Sequence, residues 1–149
     1  MTDAGFDRVV EAVASSGAVT LATLWATVDI ERTLADLGVG ASEFGIDPFL
    51  GARVVVVAAG APHEPPLAIA EPTTEGRLAA TLARHGEGPA GRYVAVADGL
   101  DPARARAASS GIALSRVEPG PFGASMLVLL GPVTGPHLIL CDPAVPSTP

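Results

Sequence analysis

The chain has 149 residues, nearly half of them apolar, which suits one compact domain or two small modules sharing a core. Its formal charge is −7 with only nine basic residues and no cluster of them, so nothing in it neutralises a row of phosphates and nucleic acid is excluded as a partner. The single cysteine, Cys141, rules out an internal disulfide and a cysteine-based zinc site. Apolar runs no longer than a strand, with no signal-like start, lead us to expect a cytoplasmic protein that does not engage a membrane.

Phe6, Val9, Val10 and Val13 recur at helical spacing after Thr2 and Asp3, which predicts an amphipathic helix over about 3–15. Leu24 to Asp29 reads as a strand entering an acidic turn, followed by a helix from Ile30 to Leu37 that Gly38 stops. Residues 42–46 suggest a short edge strand, and Asp47-Pro48 a turn. Arg53–Val57 and Leu67–Pro72 are strands, joined through a loop at 61–66 that three prolines stiffen. Thr73 to His85 is helical, with Thr74 as its cap and Leu78 and Leu82 on one face, and it ends at Gly86-Glu87-Gly88. Tyr93 to Asp98 is again strand and acidic turn, Pro102 to Ser110 again a helix, and Gly111 again the stop. Gly120-Pro121-Phe122-Gly123 reads as a hairpin turn or a mobile lip. Met126–Leu130 and Leu138–Pro143 are strands, and the Pro-rich tail 144–149 is expected to be disordered.

The second half therefore replays the first at an offset of about 70 residues, down to the carboxylate-proline endings Glu71-Pro72 and Asp142-Pro143. The expected class is α+β: two βαβββ-type modules whose sheets curl into a cup. The boundaries are an N-terminal helical extension at 1–17, a single domain at 18–143 and the tail at 144–149. Within the domain, module one spans about 18–72, a linking helix 73–88 and module two 89–143.

Three stretches carry a resemblance. Thr27-Val28-Asp29-Ile30-Glu31 follows the first strand, Leu67-Ala68-Ile69-Ala70-Glu71-Pro72 closes module one, and Gly86-Glu87-Gly88 precedes module two. Over about residues 18–143 the chain resembles the vicinal oxygen chelate superfamily, in its glyoxalase-like and methylmalonyl-CoA epimerase-like branch. The resemblance implies a cup that binds a small substrate, in most members on a divalent metal. The four positions at which it implies metal ligands are here Ala22, Ala68, the Ala90-Gly91 pair, and Ile139 or Leu140. None offers an imidazole or carboxylate donor, so no metal and no other cofactor is expected.

Strand alternation puts Thr20, Ala22, Leu24 and Ala26 on one face and Ala68 and Ala70 on another, so methyl groups floor the predicted cup. Either they leave an apolar space for a carbon-rich ligand, or they let two sheets pack with no cavity at all. Thr20, Ala22, Leu24, Ala68, Ala70 and Leu140 are the candidate lining. Arg92 is a candidate for binding a carboxylate, although only one of Arg92 and Tyr93 can face inward. Tyr93 as hydrogen-bond donor and His137 as acid or base are the candidate catalytic groups, against a core tyrosine and a partly solvated loop histidine. Glu71 and Asp142 read as structural acceptors of backbone hydrogen bonds, and Cys141 as an inert buried thiol. Two functions fit. One is a metal-independent isomerase, lyase or cyclase of bacterial secondary metabolism, acting on a small, apolar, carbonyl-bearing, acyl or polyketide-like molecule. The other is a sequestration or carrier protein for such a molecule. If the alanines only mediate packing, a scaffolding domain remains, and a homodimer is expected because superfamily members often pair.

Overall fold

The structure is a computed structural model that describes residues 3–14, 17–40, 43–58, 64–130 and 132–143. Residues 61–63 of the proline-stiffened loop and the tail 144–149 lie outside the described residues. Helix α1 (Asp3–Ala14) is followed by β1 (Val19–Ala26), α2 (Ile30–Leu37), β2 (Gly45–Asp47), β3 (Ala52–Val57) and β4 (Leu67–Pro72). After α3 (Arg77–His85) the plan repeats as β5 (Gly88–Ala95), α4 (Leu100–Ser109), β6 (Glu118–Gly120), β7 (Gly123–Val128) and β8 (His137–Asp142).

Local chemistry sets these boundaries. Asp29 caps α2 by accepting from the Arg32 amide, and Gly38, at φ 72°, ends the helix where a side chain would be strained. Helix α3 starts four residues later than the pattern predicts, because Gly76 occupies the cap without a side-chain bond and Thr74 packs against Gly51 instead.

One eight-stranded mixed sheet runs β2-β3-β4-β1-β5-β8-β7-β6. Each module contributes four strands in the same order, its first strand parallel to its last. An antiparallel pairing of β1 with β5 joins the modules. The outer edges β2 and β6 approach one another: a Cβ built on Gly45 would stand 3.3 Å from Pro121 Cβ. The sheet is thus curled into a near-barrel cup, the α+β arrangement that the repeat implies.

The two faces bury separate cores. Outside module two, α1 and α4 cover Val94, Met126, Leu138 and Leu140 with Phe6, Val13, Ala103 and Ala107. Outside module one, α2 is the one helix among the described residues that lies over Val55, Val57 and Ile69, through Ile30 and Leu34. The inner face carries Ala22, Leu24, Ala26, Ala68, Ala70, Tyr93, Ile139 and Cys141, and Leu50 and Leu78 pack into it.

Candidate functional site

The cup is where the repeated strands converge. Ala22, Ala68 and Ile139 are fully buried there and Ala90 nearly so, with apolar neighbours on every side. Gly91 has φ 150°, and a Cβ on it would come within 1.9 Å of the His137 carbonyl oxygen, so the approach of β5 to β8 leaves no room for a ligating side chain. A divalent metal does not fit this donor set. Leu50, Leu78, Tyr93 and the partly buried Phe122 take up the space beside the alanines, so the methyl-lined floor is packed by the chain's own side chains.

Two buried polar pairs interrupt this apolar interior. Tyr93 Oη donates to Asp47 Oδ2 at 2.6 Å, and both residues are completely buried. Asp47 Oδ1 also accepts from the Phe49 and Leu50 amides, which folds the turn between β2 and β3. Burial pushes the Asp47 carboxyl above its ordinary range, against the pull of these three hydrogen bonds. Burial first, and then the adjacent carboxylate, hold the Tyr93 phenol well above its usual value, so it remains a donor. The second pair joins His137 Nε2 to Thr81 Oγ1 of α3 at 2.9 Å. Burial, and secondly the charge of Arg77, lower His137 to about 4, so the ring is neutral at pH 7.

A cleft of about 680 Å³ opens between edge strands β2 and β6, lined by Ile46, Pro48, Glu118, Pro121 and Phe122 among others. Phe122 forms the inner wall and lies against Tyr93, with ring centroids 4.9 Å apart and tilted by 51°. The cleft thus borders the Asp47–Tyr93 pair, through Phe122 against Tyr93 and through Ile46 and Pro48 on either side of Asp47.

The structure brings Tyr93 and His137 to the inner face together with Ala22, Leu24, Ala68 and Ala70. Thr20 stands half-buried before a bulge at Leu21, which interrupts the alternation on β1. Two candidates lie elsewhere. Leu140 belongs to the outer core, one residue out of phase with Ile139. Arg92 faces α1, where it pairs with Asp7 at 2.8 Å and covers the Phe6 ring. Asp47, expected only as part of a turn, is the group the sequence did not single out; its partner is 46 residues away and no local pattern announces it.

The carboxylates outside the cup have structural tasks. Glu71 accepts from the Ile30 amide at the start of α2 and pairs with Arg53, which also holds Glu31. Asp29, Glu31 and Glu71 lie close enough together to meet at one point, but Arg53 already neutralises two of them. Glu87 accepts from the Val28 amide and Thr27 Oγ1, and pairs with Arg32, tying Gly86-Glu87-Gly88 to the first acidic turn. Cys141 is buried and its thiol is pushed up to about 12 by burial, which leaves no thiolate at neutral pH.

Comparison with solved structures agrees with this architecture. Hypothetical protein BH1468 from Bacillus halodurans C-125 superposes with a TM-score of 0.67 at 16% identity, over 85% of this chain and 95% of that one. Methylmalonyl-CoA epimerase from Mycobacterium tuberculosis gives 0.67 at 22% identity, over 87% and 91%. A variant of the Streptomyces coelicolor epimerase in complex with 2-nitronate-propionyl-CoA gives 0.68 at 19%, over 88% and 98%. No protein-family model and no curated sequence matches the chain. The chain has the vicinal oxygen chelate fold, in the form seen in methylmalonyl-CoA epimerases. Among the described residues, no helix is long and apolar enough to cross a membrane.

Proposed function

We propose that the protein binds a small, largely apolar, carbonyl-bearing molecule at the cup and acts on it by metal-independent proton transfer, as an isomerase, lyase or cyclase. The observation that carries this reading is the Asp47–Tyr93 pair: a carboxyl and a phenol desolvated in an apolar cup that borders a cleft. Rotation of Phe122 opens the path. A carbonyl oxygen then accepts from Tyr93 Oη in place of Asp47. The freed Asp47 carboxylate, made more basic by burial, takes the proton next to the carbonyl while the electron pair moves onto the oxygen. Return of that proton to another position or face completes an isomerisation. Ala22, Leu24, Ala68 and Ala70 supply the apolar surroundings, and Thr20 lies at the start of the same strand. His137, neutral and held by Thr81, is a second proton carrier of the same cup.

Sequestration is the second reading. It is favoured by the fact that both polar pairs are already satisfied internally and need no ligand.

The test is proton exchange. Ketones and thioesters incubated with the protein in D₂O are expected to take up deuterium beside the carbonyl. Asp47→Asn should slow this at least a hundredfold and Tyr93→Phe about tenfold. The chain has one tyrosine, so a labelled Tyr93 ring reports occupancy of the cup directly. A ring shift with no exchange would establish sequestration, and neither signal would defeat the reading of the cup as a binding site.

A further inference from the structure

The geometry points to a ligand that enters the cleft as a free, phosphate-free molecule, and not as a coenzyme A thioester. This rests on the cup being the binding site and specifies what reaches it. Coenzyme A carries a diphosphate and a further phosphate, which need cations or clustered N–H donors where they leave the acyl group. Among the described residues, no cation lines the cleft. Among its described lining residues the one ionisable group is Glu118, a carboxylate that Arg116 pairs. Four further lining residues, Pro48, Pro119, Pro121 and Pro143, have no backbone N–H to offer.

The chain has nine arginines and no lysine. Arg116, the rim arginine, pairs with Glu118 itself, and Arg32, Arg53, Arg92 and Arg106 each hold a carboxylate elsewhere. Arg77 sits beside His137 at the start of β8. Among the described residues it does not line the cleft. A polyphosphate reaching the mouth therefore meets an already paired Glu118, four prolines and a chain of net charge −7. The fold is shared with epimerases seen in complex with acyl-coenzyme A compounds, but this mouth lacks the charge to hold one.

A matched series tests the inference: one short acyl group presented as its pantetheine thioester, its cysteamine thioester and its coenzyme A thioester, titrated at low ionic strength with the labelled Tyr93 ring as readout. The neutral pantetheine and cationic cysteamine forms are expected to bind, and the coenzyme A form at least tenfold more weakly. Glu118→Arg should narrow that gap by several-fold. Coenzyme A thioester binding as tight as the pantetheine form would overturn the inference and leave the cup's binding role intact. Failure of all three forms, with wild type and with a Phe122→Ala variant whose inner wall is removed, would overturn the binding reading and this inference with it.

Discussion

His137 shows how one buried ring sets a measurable property. Its folded-state value near 4 lies below the ordinary 6.5, so the unfolded chain binds a proton between these values that the folded chain refuses. Its contribution is fully present above pH 6.5 and is lost as pH falls towards 4, by about 3 kcal/mol at most. Urea unfolding at pH 7 and pH 4.5 should show this loss, and His137→Gln should flatten it; an unchanged slope in that variant would place the titration elsewhere. Asp47 acts in the opposite sense. A carboxyl raised by burial favours the folded state while protonated, and that stability is lost as pH rises through its raised value. Inner-face membership of Tyr93, Ala22, Ala68 and Ala70 was legible because period-two alternation needs only one anchored residue per strand. Leu140 and Arg92 were misplaced by a single step, the least that alternation can be wrong by, and that step exchanges cup for outer surface. The Asp47–Tyr93 bond was not legible, since it joins an edge strand to a central one across the cup.

At the scale of elements the duplication was readable because its punctuation is chemical: a carboxylate before each first helix, a glycine after it, a carboxylate-proline closing each module. Gly38 and Gly111 have nearly the same positive φ, 72° and 69°, so corresponding stops adopt corresponding geometry. Strand ends drifted by several residues: β5 begins at Gly88, five residues before Tyr93, because hydrogen bonding to β1 extends a strand across glycines and a proline that local propensity discounts. The modules also differ in cover. Val94 and Leu138 are sealed under α1 and α4, whereas Trp25 and Leu67, in matching positions outside module one, are only partly buried. That makes α1 structural to module two. Phe6→Ala should cost about 3 kcal/mol in urea unfolding, the loss of a well-buried aromatic. Arg92→Met should cost under about 1 kcal/mol, since its partner Asp7 is exposed, and should leave ligand titrations unchanged. An affinity loss in Arg92→Met would return that residue to the binding site.

For the whole molecule the decisive question is what holds the cup together where a metal would otherwise sit. Four separate strands meet there, and in this chain each brings a methyl, a hydrogen or a branched alkyl group, with Leu50, Leu78 and Tyr93 filling between them. The centre is an ordinary hydrophobic core, stabilised by burial and contact, and it offers a cation nothing with which to replace its water shell. A metal bound only to the folded state at a hundred times its dissociation constant adds about 2.7 kcal/mol, on the order of a 5–10 °C rise in Tm for a chain of this length. The tag-free protein should show no such rise with zinc, cobalt or manganese and no fall with EDTA, as read by calorimetry. Among the described residues the acidic trio Asp29, Glu31 and Glu71 is the place outside the cup where a cation could gather, so the measurement is repeated on an Asp29→Asn, Glu31→Gln variant. A rise that disappears in that variant belongs to the outer carboxylates. A rise of several degrees that persists in it would mean that the cup recruits donors absent from its packed state, and the metal-free mechanism would have to be abandoned.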